Sequence, residues 1–344
     1  MEKVTLQTIA DTLNTSRVTV WKALNNRDGV SASLRDEIIS TAITLGYPLK
    51  LQEGYSSPTP KKKSSHKNVS VVVSHPEDSP FWMNIIHSIA MVLSKHNMNM
   101  LYTYLPSEPE KDYELPSTLI DNTVQGIIIL NIYDKTLFYK LNDLPIPKVF
   151  LDCIPNIDYK FLNGDLFLIE GKSTVSSIVQ HIIEKGRRHI SFIGDIEFSQ
   201  TNKERYLGYI EALQKNSLSI YEVTNLTTSL GAKTHKEQIY QFLDHLSTFP
   251  EAIICANDFI AYLVIQYLQE KEISVPNQVM VTGFDDSREF RKVIPLTTVH
   301  VQNHFVGIRL AEQLLYHFEN PEADYEIIYI RSKIIFRQST GDAS

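Results

Sequence analysis

The chain of 344 residues is 43% hydrophobic and 21% charged, with a formal net charge of −7. That length exceeds the roughly 250–300 residues at which a single core stops growing, and the composition excludes wholesale disorder. No apolar run approaches the roughly 18 residues of a membrane span, and the start, Met1-Glu2-Lys3-Val4-Thr5, does not read as a signal peptide. Two cysteines, Cys153 and Cys255, make neither a disulfide framework nor a metal cluster, so buried free thiols in a reducing cytoplasm are expected. The charge is unevenly placed. Residues 1–67 hold ten Lys and Arg against six Asp and Glu, a balance of +4 that leaves −11 on residues 68–344. A small basic head on a large acidic body follows, and the overall −7 does not exclude a nucleic-acid partner.

In chain order, Leu6, Ile9, Ala10 and Leu13 fall at i, i+3, i+4 and i+7, and Thr5 stands where a helix cap is needed. Ser16 caps a second short helix that buries Val20 and Leu24. A third helix carries Leu34, Ile38, Ala42 and Leu45, capped by Ser31 or Ser33. Two short helices joined by a tight turn and closed by a third make a helix-turn-helix unit, although periodicity alone also fits any small bundle. Residues 1–50 form this head. Residues 51–67 follow as a connector, whose Ser-, Pro- and Lys-rich part from Glu53 to Lys67 has no apolar period.

From residue 68 to 344, apolar strand-like runs alternate with amphipathic helices. Val69–Val73 precedes a helix over Phe81–Lys95, and Met98–Tyr104 precedes a helix before Val124. Gly126–Leu130 and Val149–Asp152 follow. Helices over Ser173–Lys185, Arg205–Gln214 and Lys236–Leu246 lead into His189–Ile193, Tyr221–Val223 and Ala252–Ala256, and Phe259–Lys271 leads to Val279–Gly283. Such alternation predicts parallel sheets, and a segment of this size suits two doubly wound α/β subdomains with ligands at the strand C-termini. A nucleotide-dependent enzyme would need G-x-G-x-x-G or G-x-x-x-x-G-K-[ST], and a serine hydrolase G-x-S-x-G; none occurs. His181 and His189 read as surface or cap residues. No catalytic residue, metal site or cofactor is expected.

Val4-Thr5-Leu6-Gln7-Thr8-Ile9-Ala10, Ser16-Arg17-Val18-Thr19-Val20-Trp21-Lys22-Ala23-Leu24-Asn25, Val30-Ser31-Ala32-Ser33-Leu34-Arg35 and Leu45-Gly46-Tyr47 closely resemble the headpiece of the lactose/galactose-repressor (LacI/GalR) family. The resemblance implies that the second helix lies in the major groove of double-stranded DNA and reads base edges with its early exposed residues, here Arg17, Val18 and Lys22. Arg17 can fork onto guanine, Val18 can touch a thymine methyl, and Lys22 can reach a base or a phosphate. Thr5, Ser16, Thr19, Asn25 and Ser31 are expected to position phosphates through side chains or the amides they cap. Trp21 departs from the family's small hydroxyl residue and either packs on the DNA backbone or covers the head's core. The family's hinge helix, Asn-x-x-Ala-x-x-Leu, is not matched by Lys50, Glu53 and Ser56, while Leu49 and Leu51 stand in a different register. A weaker DNA kink is expected, with Lys61, Lys62, Lys63 and Lys67 on phosphates.

The body resembles the same family's periplasmic-binding-protein-like core through Gly186–Gly194, Arg205-Tyr206-Leu207-Gly208-Tyr209, Cys255-Ala256-Asn257-Asp258, Val281-Thr282-Gly283-Phe284-Asp285-Asp286, Pro295–Val299 and Arg337-Gln338-Ser339-Thr340. The resemblance implies two lobes crossed by hinge strands, expected near 159–165, 287–296 and 318–326. Lobe closure would change headpiece spacing in a homodimer and so bias affinity for a palindromic operator. In the cleft, Phe81 and Trp82 are expected to stack on the ligand and Arg205 to clamp hydroxyls or a carboxylate. Asp152, Asn257 and Asp285 end strands at the cleft, and Asp258 reads as a helix cap. The carboxylates favour a neutral sugar; a purine stacked on Trp82 is the alternative effector. The whole reads as a cytoplasmic transcriptional regulator, a repressor, without a heptad tail for tetramers. A solute sensor with impaired DNA binding and an α/β enzyme are the competing classes.

Overall fold

The computed structural model describes residues 4–25, 27–47, 67–74, 80–220, 224–231, 234–287, 289–290 and 295–343. The chain divides into two compact units, Met1–Ser65 and His66–Ser344. The expectations for Leu49, Lys50, Leu51, Glu53, Ser56, Lys61, Lys62 and Lys63, and the strand over Tyr221–Val223, lie outside the described residues.

The first unit holds three helices, α1 (Leu6–Thr12), α2 (Arg17–Leu24) and α3 (Ala32–Thr44). Their spacing places Ile9, Ala10, Val20, Ala23, Ile38 and Ala42 in one buried core, with Leu6, Leu13, Leu24, Leu34 and Leu45 packed around it. Each helix starts on a hydroxyl cap: Thr5, Ser16 and Ser31 accept from the amides of Thr8, Thr19 and Leu34. Arg35 was not singled out by sequence. It donates to the carbonyls of Ala23 and Arg27 at 3.3 and 2.7 Å, tying α3 to the C-terminal end of α2, where a cation is favoured.

The second unit has two lobes. Lobe 1 is built from β1 (Asn68–Val73), α4 (Pro80–Lys95), β2 (Asn99–Tyr104), α5 (Ser117–Ile120), β3 (Gly126–Leu130), α6 (Lys135–Asn142), β4 (Lys148–Leu151) and β5 (Asp165–Ile169). Lobe 2 follows with α7 (Lys172–Glu184), β6 (Ile190–Ile193), α8 (Gln200–Lys215), α9 (His235–Asp244), β7 (Ala252–Cys255), α10 (Asp258–Glu270) and β8 (Met280–Thr282). Then come β9 (Thr298–His300), α11 (Asn303–Glu319), β10 (Ile327–Ile330) and β11 (Lys333–Ile335). The lobe 1 sheet has the order β10-β5-β4-β3-β1-β2 and the lobe 2 sheet β6-β7-β8; all pairs in both are parallel. Apolar runs are continuous because both faces are covered. Thus Val71 and Val73 of β1 pack on one side with α4, while Val72 turns to the other with Phe138 and Phe150.

The crossings between lobes lie further along the chain than the sequence indicated. Asp165 already belongs to β5 in lobe 1, so the first crossing is at residues 170–171. β9 and β11 pair antiparallel, which puts the second crossing at residues 301–302 and the third at 331–332, where the chain leaves β10. The segment 159–165 instead carries a 3-10 turn, Tyr159–Phe161, and the start of β5; the region 318–326 assigned to the third crossing holds the end of α11 and the link to β10, two elements the sequence reading missed. Lys67, expected on phosphate, holds its ammonium 4.2 Å from the ring centre of Phe318 in lobe 1. Among the described residues no helix is long and apolar enough to cross a membrane.

Candidate functional site

On α2 the side chains at 17, 18 and 21 share one exposed surface, with Val18 61% and Trp21 47% accessible. Large apolar groups left in water on a short helix mark a contact surface. Trp21 does not join the head's core. Arg17 is exposed, Lys22 is half-buried, and Asn25 is exposed with its amide donating to the Trp21 carbonyl at 2.9 Å. The hydroxyls of Ser16 and Thr19 lie 2.8 Å apart while Ser16 also accepts from the Thr19 amide, and Thr5 and Thr8 cap reciprocally. Thr5, Ser16 and Ser31 therefore spend their side-chain oxygens on helix starts, where early amides lack intrahelical acceptors.

In the second unit, Asp152 follows β4 with φ +65°, a conformation that side chains other than glycine rarely take. Its carboxylate accepts from the amides of Cys153 (2.8 Å) and Thr201 (3.1 Å) and from the Tyr133 hydroxyl (3.2 Å), and burial pushes its pKa up. The Thr201 amide belongs to the first turn of α8, so Asp152 bridges the lobes. Tyr133 packs on Phe198 with ring centres 4.4 Å apart. Both aromatics stand in loops after β3 and β6, the strand ends where an α/β cleft opens; that position was the signal available for them.

Arg205 of α8 is buried and lies 3.6 Å over the Phe284 ring; it donates to the Ala256 carbonyl at 2.5 Å and faces Asp285 at 3.8 Å. Its Nε has no hydrogen-bond partner among the described residues. Burial lowers its pKa, opposed by Asp285 and Asp152. Asp285, at φ +106°, has its carboxyl raised by burial to about 6 against the pull of Arg205. Asp258 is raised by burial to about 7, with Asp285 adding to the shift; it accepts from Thr298 Oγ1 (2.6 Å) and the Ser287 amide (2.7 Å). The cap of α10 is not Asp258 but Asn257, whose Oδ1 accepts from the Ile260 amide at 2.9 Å. Asn257 thus commits its carbonyl to the helix. Phe81 and Trp82 meet edge to face at 5.1 Å and both pack on the core. Phe81 joins Asn84, Asp285, Asp286 and His300 around a cavity of about 450 Å³ between the lobes; Trp82 is not one of its walls.

A family profile described as a periplasmic binding protein-like domain matches residues 179–340. The catabolite control protein A of Priestia megaterium is 25% identical over 343 residues, covering 98% of this chain and 99% of that protein. The transcriptional repressor PurR of Histophilus somni (strain 2336) is 24% identical over 346 residues, covering 97% and 98%. The similarity runs through head and body in one alignment. Over nearly its whole length the chain is similar to regulators of the lactose/galactose-repressor family. Among solved structures, the regulator CelR in complex with cellobiose aligns at TM-score 0.71 with 20% identity, covering 98% of this chain and 100% of that one. The lac repressor dimer bound to operator and an anti-inducer aligns at 0.69 with 19% identity, covering 98% and 99%. These share the α/β fold of three head helices and two parallel-sheet lobes. By these similarities the chain is a DNA-binding regulator with a periplasmic-binding-protein-like effector domain, and the relatives above are regulators of transcription.

The structure brings Asp152, Arg205 and Asp285 together and sets Phe81 beside Asp285, while Trp82 packs on the core and Asn257 caps a helix. Sequence reasoning missed Tyr133, Phe198 and the exposed Tyr329, whose hydroxyl donates to Glu204 of α8 at 2.9 Å. Among the described residues no group of three His, Cys, Asp or Glu is placed to hold a metal ion.

Proposed function

We propose that this regulator is a cytoplasmic repressor, dimeric on a palindromic operator, whose DNA affinity is set by a neutral sugar held between its lobes. Residues 1–50 read DNA, 51–67 connect, and 68–344 bind effector and partner. Arg17, Val18 and Lys22 read base edges, with Thr5, Ser16, Thr19, Asn25 and Ser31 on phosphates. Asp152, Arg205, Asp285 and Phe81 hold the effector; Trp82 and Asn257 support it from behind.

The observation that carries the sugar reading is the pairing of Asp152 and Asp285 with one buried guanidinium beside aromatic rings. Carboxylates accept from hydroxyls, a guanidinium donates to them, and rings cover the sugar's C–H face, whereas an anionic ligand would meet two carboxylates. The cellobiose-bound relative points the same way. The alternative, a purine with its base stacked on Trp82, rests on the resemblance to PurR.

The test has two arms on the full chain. Genomic footprinting supplies a duplex, and a gel shift measured against salt is expected to show tight binding that weakens steeply with ionic strength. A thermal-shift panel of sugars and purines is expected to give stabilisation by a neutral sugar. Stabilisation by purines alone replaces the sugar reading, and absence of a salt-sensitive shift removes the operator reading.

A further inference from the structure

The second and third crossings run side by side because Lys333 pairs with His300 and Ile334 with Val299. Against this ribbon, the end of β10 and the first turns of α11 enclose a second cavity of about 420 Å³. Its charged lining is entirely basic: His300 from β9, Arg309 from α11, Arg331 from the third crossing and Lys333 from β11. On a segment carrying −11 that is a marked local reversal. The 450 Å³ cleft described above has Asp285, Asp286 and Glu289 in its wall, and His300, Gln302 and Phe305 border both cavities. One strand end thus separates an acidic cavity from a basic one.

Part of the basic charge is already met. Arg309 contacts Glu312 at 2.8 Å on the exposed side of α11, and His300 Nδ1 faces Asp286 Oδ2 at 2.8 Å. Asp286 is itself held by Arg337 at 2.8 Å. Arg331 and Lys333 make no ion pair among the described residues, and both are exposed. Ser332 and Gln302 add uncharged polar groups to the wall. Phe305, 59% accessible, offers an apolar surface beside them. A guanidinium fork, an ammonium and neutral polar groups around a cavity of this size suit a tetrahedral oxyanion attached to a small organic group.

We propose that this cavity binds a phosphate-bearing small molecule, at a site separate from the inter-lobe cleft, and that occupancy biases lobe closure because its cations stand on two of the crossings. Arg331 is part of the chain that must bend when the lobes move, and His300 ends the strand leading into the other crossing. An anion held by both fixes their separation, so it binds one degree of closure better than another.

The probes are inorganic phosphate and phenyl phosphate, titrated calorimetrically into the full chain, with chloride at matched ionic strength as the control. Saturable binding is expected for both, tighter for phenyl phosphate because its ring meets Phe305. The double variant Arg331→Ala/Lys333→Ala is expected to bind at least ~10-fold more weakly, as charge-assisted bonds are lost. Arg331→Gln and Lys333→Gln, made singly, give the same direction if the double variant folds poorly. Lys172→Ala, on α7 away from the cavity, is expected to bind as the parent does. No saturable binding above chloride, or equal binding by the double variant, overturns the site. The distance between spin labels on α4 and α9 is expected to shift on saturation with phenyl phosphate; an unchanged distance overturns the link to closure. A neutral sugar titrated alongside reports the inter-lobe cleft separately.

Discussion

Asp258 and Asp285 stand at the ends of adjacent strands, β7 and β8, and burial holds their carboxyls at about 7 and about 6. For Asp258 the consequence is a pH dependence of known sign. Below about pH 4 the group is protonated in folded and unfolded chains alike. Between there and about pH 7 the unfolded chain releases a proton that the folded chain keeps, so stability falls as pH rises through that window and levels off above it. Asp258→Asn has no such proton to lose. Its stability relative to the parent is expected to improve between pH 5 and pH 8, by up to about 1.4 kcal/mol for each unit of the window crossed; urea midpoints at the two pH values check this, and a constant gap contradicts it. At the head, Arg17→Ala and Ser16→Ala separate reading from folding. Arg17 is exposed and caps nothing, so its loss is expected to weaken operator binding by about 1–3 kcal/mol and relax discrimination at one base pair. Ser16→Ala is expected to cost about 1 kcal/mol of head stability through its lost cap on the Thr19 amide. Melting curves and gel shifts on both variants distinguish the two outcomes.

Two helix pairs of the body owe their closeness to a missing side chain. A methyl group at Gly307 of α11 would come within 2.4 Å of the Ile85 carbonyl oxygen in α4, and one at Gly208 of α8 within 2.1 Å of the Lys172 carbonyl oxygen at the start of α7. Replacing glycine by alanine inside an exposed helix usually gains about 1 kcal/mol. Here the sign is expected to reverse, with Gly307→Ala and Gly208→Ala each losing about 1–3 kcal/mol as backbones are pushed apart; thermal unfolding reads the sign directly. Periodicity served well wherever an element buried one continuous face, as in α1, α2, α3, β1, α4 and α7. It failed at β5, because Asp165 opens that strand and reads as a polar break. In the fold Asp165 is fully buried, 2.7 Å from His317 of α11, and its other oxygen accepts from the Glu326 amide. A partner about 150 residues away made a polar residue acceptable inside a strand, and no local pattern carries that information. The edge strand β10 was missed for a related reason: Ile327 and Tyr329 remain exposed, so it lacks a continuously buried face.

At the scale of the whole second unit, the lobes are joined by more than their crossings. The Gln200 amide donates to the Cys153 carbonyl at 2.8 Å, the Thr201 amide to Asp152 at 3.1 Å, and the Tyr329 hydroxyl to Glu204 at 2.9 Å. Two of these use free amides at the start of α8, where the helix dipole favours a carboxylate such as Asp152. The sequence showed Asp152 at a strand end and, through the resemblance, Arg205 as a cleft residue at the start of a helix. It did not show that Asp152 is engaged across the lobes, because the acceptor and the amide lie 49 positions apart. An effector that takes the Asp152 carboxylate therefore competes with a bond that holds the lobes together, while a ligand that leaves it in place reinforces closure. Tyr329 allows the two to be separated, since it spans the lobes outside the ligand-facing group. Tyr329→Phe removes one hydroxyl and leaves Glu204 with its bond from Gln200. The closed arrangement is expected to lose about 1 kcal/mol, a roughly fivefold shift toward open lobes. Global unfolding should change little where each lobe keeps its own core, and apparent effector affinity should fall by the same factor that the closed population falls. Small-angle scattering with and without saturating effector measures the first quantity and calorimetry the second. A variant with unchanged scattering and unchanged affinity would show that the crossings alone set the closure.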